Sequence, residues 1–100
     1  MIKIDIKKED EKVKFIRVSG HSGYAEEGSD IVCASVSSIV ITTVNALIRI
    51  DEDCLLYTEK DGLLEIAILK HDLIIDTLVF NMIDLLMKLS KDYSNYIKIN

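Results

Sequence analysis

The stretch IVCASVSSIVITTVNALI, residues 31 to 48, contains no charged residue. It is far longer than an ordinary strand, and no Gly, Asn-Gly or Asp-Gly divides it into a hairpin. It therefore predicts a helix over 31–50, with Val32, Val36, Ile39, Val40, Thr43 and Leu47 at helical spacing. The many β-branched residues oppose this locally, because their stiff side chains crowd the preceding turn. The run nearly reaches membrane-spanning length. However, Ser35, Ser37, Ser38, Thr42, Thr43 and Asn45 interrupt it, Asp30 and Asp51 bracket it, and a basic flank is missing. The reading is a buried central helix of a soluble protein.

Elements of shorter period surround this helix. Ile2, Ile4 and Ile6 alternate with Lys3, Asp5 and Lys7, the pattern of a half-buried strand. The charged KKEDEK turns the chain, and VKFIRVSG (13–20) makes a second strand. Residues 21–29 read as a loop with Gly23 and Gly28 as its flexible points, and Asp30 as the N-cap of the helix. CLLYTEKDGLLEIAIL (54–69) predicts a hairpin turning at Asp61-Gly62. A second helix over 71–92 has a narrow polar stripe of Thr77, Asn81, Asp84, Lys88 and Lys91, and YIKIN closes the chain as a short strand. The order ββαββαβ predicts one α+β domain, residues 1–100, with two helices on one face of a five-stranded, mainly antiparallel sheet.

At 100 residues with 49% hydrophobic side chains, the chain carries more apolar material than one small core hides. A homodimer is expected, with Leu78 or Leu86 of the second helix at its contact. A net charge of -5 opposes both nucleic acid and anionic membrane as partners and suits a basic peptide. Met1 leads into IKIDIKK with no apolar leader, and two cysteines make no disulfide framework. Both point to the cytoplasm.

The chemistry gathers in GHSGYAEEGSDIVCASVSS, residues 20–38, which holds one of the two histidines and one of the two cysteines. With a helix starting after Asp30, Cys33 is its third residue. There, free backbone N–H groups and the helix dipole favour thiolate and offer donors to an oxyanion. His21 is the nearest available base, and Ser37 lies one turn beyond Cys33 on the same helix face. Each residue also has a plain structural reading. Cys33 reads as a small core hydrophobe, His21 as a solvated loop residue, and Ser37 as a hydroxyl bonded back to its own helix. Cys54 reads as core and His71 as a first-turn residue of the second helix. A zinc site from His21, Cys33, Cys54 and His71 lacks the close paired spacing of structural zinc modules. No cofactor or metal is expected.

The same block resembles the signature of the ribosomal-processing cysteine protease (Prp) family. The likeness rests on Gly20, His21, Gly23, Tyr24, Gly28, Asp30, Ile31, Val32, Cys33, Ala34, Val36 and Ser37, with Ser22 and Ser35 standing where alanine is usual. The resemblance implies a homodimeric endopeptidase that removes a short N-terminal extension from a large-subunit ribosomal protein. It implies Cys33 as nucleophile, His21 as base, and Asp30 and Ser37 as supporting residues. It further implies a substrate-binding loop of Ser22, Gly23, Tyr24, Glu26, Glu27 and Gly28. The alternative is a non-catalytic homodimeric module that binds a ribosomal protein or assembly intermediate through the same groove.

Overall fold

The computed structural model describes residues 1–20 and 27–100, the side chains of 27–30 excepted. Strand β1 (Ile2–Glu9) pairs antiparallel with β2 (Lys12–Ser19). A two-residue turn joins them, and both Asp10 and Glu11 have positive φ. That geometry matches the right-handed twist of the strands. The register shifts between Lys7 and Lys8, so Lys8 faces Val13 while Lys7 faces Phe15. This bulge lets Val13 and Ile16, three residues apart, both point into the core.

Strands β3 (Leu55–Lys60) and β4 (Leu63–Ile68) form the expected hairpin, and β4 continues onto β2. The last strand, β5 (Ile97–Ile99), runs parallel to β1. The order is β3-β4-β2-β1-β5, a mixed sheet with a single parallel pair. Its inner face presents Ile4, Ile16, Val18, Ile66 and Ile68, and its outer face carries the Arg17–Glu65 pair at 3.0 Å.

Both helices contribute to one core with the inner face. Helix α1 (Glu27–Ile50) buries Val32, Val36, Val40, Val44 and Leu47. Helix α2 (Leu73–Asp92) buries Ile75, Val79, Met82, Ile83 and Leu86. The segment Ile31–Ile50 is long and apolar enough to cross a membrane by length and composition. In this fold its inner stripe has a sheet and a second helix to pack against.

Three local expectations are corrected. Helix α1 begins at Glu27, not after Asp30, so Glu27, Gly28 and Ser29 are helical and Asp30 is no N-cap. Acidic residues at positions 27 and 30 suit the positive end of a helix dipole, which favours the longer helix. Helix α2 begins after Asp72, whose backbone is extended and whose Oδ1 accepts the Ile75 N–H at 2.8 Å, so His71 precedes the helix. Leu86 is fully buried and cannot serve an interface between copies. Leu86→Ala is expected to cost about 2–5 kcal/mol by leaving a cavity, as read by urea unfolding, with no change in oligomeric state.

Candidate active site

The end of β2 is fixed before the site is reached. Ser19 is paired with Leu63, and the next N–H, from Gly20, donates to the Gly62 carbonyl at 3.0 Å. Gly62 has φ +71, the left-handed geometry that the Asp61-Gly62 turn requires. The turn of the β3–β4 hairpin thus lies beside the C-terminal end of β2 and the first turns of α1.

Between them is a cleft of about 440 Å³. Cys33 and Ser37 line it from α1, Val18 from β2, Gly20 from just beyond β2, and residues 59–64 from the hairpin. Val36 and Leu64 make its walls apolar, whereas Glu59, Lys60 and Asp61 bring charge to it. Glu59 is held by the Tyr57 hydroxyl, which donates to its Oε2 at 3.1 Å. Burial, reinforced by that bond, pushes the Tyr57 hydroxyl above its ordinary range.

Cys33 is partly exposed on this cleft, and Ser37 follows one turn later on the same wall, as their spacing predicts. The expected position at the helix end is corrected, since Cys33 is the seventh residue of α1. Only the first four N–H groups of a helix lack an internal partner, so that of Cys33 is committed to the helix. The dipole effect also fades within the first turn. Ser35 donates to the Ile31 carbonyl at 2.8 Å, a local bond in which a serine hydroxyl is satisfied without disturbing the cleft.

His21, Ser22, Gly23, Tyr24 and Glu26 lie outside the described residues, and of Glu27, Gly28 and Asp30 only the helical backbone is described. The remaining cysteine and histidine do not line the cleft. Cys54 is 0% exposed, with its Sγ 3.7 Å from the Leu47 carbonyl, and burial pushes its thiol upward. His71 donates from Nδ1 to Asp76 Oδ1 at 2.9 Å, and its Nε2 is buried without a hydrogen-bond partner among the described residues. No three His, Cys, Asp or Glu side chains among the described residues converge to hold a metal ion. The hairpin wall was not evident in the sequence. The Asp61-Gly62 turn announces itself, but its place beside Gly20 depends on the long-range pairing of β2 with β4.

The model of the cysteine protease Prp family matches residues 1–98. The chain belongs to that family. It is 32% identical to the ribosomal processing cysteine protease Prp of Mycoplasma genitalium over 102 residues, covering 100% of this chain and 95% of that protein. It is 41% identical to the Prp of Staphylococcus aureus over 54 residues, a match that spans about half the length of that relative (51%) and 53% of this chain. The crystal structure of the S. aureus Prp in complex with a substrate peptide superimposes with a TM-score of 0.91 at 28% identity, covering 100% of this chain and 98% of that one. That protease has also been crystallised with a covalently linked product peptide, and this form superimposes with a TM-score of 0.89. The Prp fold is thus the ββαββαβ arrangement found here.

Proposed function

We propose that this protein is a cytoplasmic cysteine endopeptidase that removes a short N-terminal extension from a large-subunit ribosomal protein precursor. One observation carries the reading. Of the two thiols, Cys33 reaches a cleft wide enough for a peptide side chain, whereas Cys54 is sealed in the core. The family membership and the ribosomal processing named for its relatives support the substrate class.

The chemistry follows from the residue types. His21 takes the thiol proton, and the Cys33 thiolate attacks the scissile carbonyl carbon. The tetrahedral intermediate collapses to a thioester, and the leaving amine takes its proton from His21. A water, deprotonated by His21, then cleaves the thioester and frees the thiol. Asp30 orients His21 or orders the loop. Ser37 supports the reaction from the same cleft wall, and Ser22, Gly23, Tyr24, Glu26, Glu27 and Gly28 form the loop that binds the peptide.

Iodoacetamide labelling of the folded protein at pH 6.5 tests the reactive thiol. Rapid modification of Cys33 with none at Cys54 is expected, because a thiol paired with imidazole supplies thiolate where a buried one does not. Labelling of neither residue until the protein is unfolded would favour the non-catalytic binding module.

The active particle is a homodimer in this proposal. Ile41 and Ile48 of α1 and Ile74 and Leu85 of α2 are exposed apolar residues on the helix layer. The α1 positions Ala34, Ser38 and Asn45, at helical spacing with Ile41 and Ile48, carry no charge. A second copy is the simplest cover for such a face. Light scattering is expected to give twice 11.3 kDa for the native chain and 11.3 kDa for Leu85→Asp. A native monomer at all accessible concentrations would contradict the dimer.

A further inference from the structure

We infer that Gly20 is a positioning residue for the reaction, the fixed point from which the chain is led into His21. This rests on the reading of His21 as the base. Three features converge at Gly20. Its φ is +89, a conformation that a residue with a side chain rarely adopts. Its N–H is tied to the Gly62 carbonyl at 3.0 Å, in the hairpin turn that walls the cleft. On its other side a Cβ would fall 2.5 Å from the Met1 carbonyl oxygen and 3.6 Å from the Met1 carbonyl carbon.

Neither neighbour is free to give way. Ile2 is 3% exposed, lines the cleft, and donates its N–H to the Tyr96 carbonyl at 2.8 Å. The Met1 carbonyl belongs to the same peptide unit as that N–H, so moving it away from a Cβ breaks the bond to Tyr96. On the Gly62 side, the β2–β4 ladder ends immediately before, at Ser19 and Leu63. Gly20 is therefore seated between two anchored backbones at the mouth of the cleft that holds Cys33.

The Gly20 N–H serves the fold by closing the β2–β4 ladder, but the fold alone does not require the way the chain leaves β2. Gly20 adds no side chain to the core, and with its N–H the hydrogen bonding of β2 to β4 ends. What its geometry does control is the point and direction in which the chain leaves β2, one residue before the base. A side chain at position 20 must either shift φ or push the chain away from Met1. Both change where His21 is offered relative to Cys33, and catalysis falls steeply with such displacements.

The test compares Gly20→Ala, Gly20→D-Ala and His21→Ala, made by chemical synthesis and assayed on a synthetic peptide spanning the extension and the first residues of the mature ribosomal protein. A D-residue accepts positive φ and carries its Cβ in the place of the other Gly20 hydrogen, not in the direction that meets Met1. Gly20→Ala is expected to lose at least tenfold in kcat with KM within threefold, and to slow Cys33 alkylation at pH 6.5 in the same direction as His21→Ala. Gly20→D-Ala is expected to keep kcat within threefold of native. A folded Gly20→Ala with native kcat would overturn the inference, as would a Gly20→D-Ala as inactive as His21→Ala. The second comparison stands even where Gly20→Ala fails to fold. Native activity in His21→Ala would instead remove the base on which the inference rests, an outcome distinct from failure at Gly20 alone.

Discussion

Cys33→Ala is expected to abolish peptide cleavage, lowering kcat by at least about 10⁴-fold, the scale on which loss of a covalent nucleophile is felt. The fold should survive, because Cys33 is only partly buried and losing one sulfur atom at the cleft wall is a small change. Peptide binding, followed by fluorescence anisotropy, should stay within a few-fold of native. Cys33→Ser should be nearly as inactive, since a hydroxyl does not supply the anion that a thiol does near neutral pH. Substantial turnover by either variant would remove Cys33 from the mechanism.

His21→Ala carries the second large effect. A general base contributes about 10²–10⁴-fold, and here the same residue also generates the nucleophile, so the loss is expected at the upper end. Alkylation of Cys33 at pH 6.5 should slow in parallel. Equal alkylation rates in His21→Ala and native protein would show that the two residues do not act together. Cys54→Ala and His71→Ala serve as the contrast, with activity expected within a few-fold of native. His71→Ala should cost about 1 kcal/mol through its hydrogen bond to Asp76, read by thermal unfolding without loss of turnover.

What the sequence disclosed follows the range over which its signals act. Period-two alternation at Ile2, Ile4 and Ile6 and the Asp61-Gly62 turn are local, and both elements stand where they are expected. The uncharged stretch 31–48 forms a helix despite its β-branched residues, because one stripe of valines faces a sheet that buries them. Tertiary burial outweighs propensity there. Helix α1 starts four residues before the first helical position that Asp30 would mark as a cap, and no local signal announces it, because Gly28 and Ser29 are poor helix formers. The earlier start moves Cys33 from the helix end to the seventh helical residue, beyond the free N–H groups that would serve an oxyanion. The pairing of Cys33 with Ser37 survives because it depends on spacing and not on where the helix begins.

Leu78 and Leu86 illustrate the same limit. Both fall in an apolar helix of the sort that packs on two sides, and periodicity alone does not say which side meets the core. The structure assigns Leu86 to the core and leaves Ile74 and Leu85 outside. The cleft itself was beyond sequence reasoning, because the hairpin wall, Gly20 and the first residues of the chain meet through pairings that link distant segments.

The most direct test of the peptidase account is intact-mass analysis of the host's own large-subunit ribosomal protein precursor after incubation with the purified protein. The account predicts that the precursor loses a short N-terminal peptide at one bond with native protein, and keeps its full mass with Cys33→Ala. A precursor that binds the native protein yet keeps its full mass, under conditions where Cys33 is reduced, would contradict it and leave the binding module in its place.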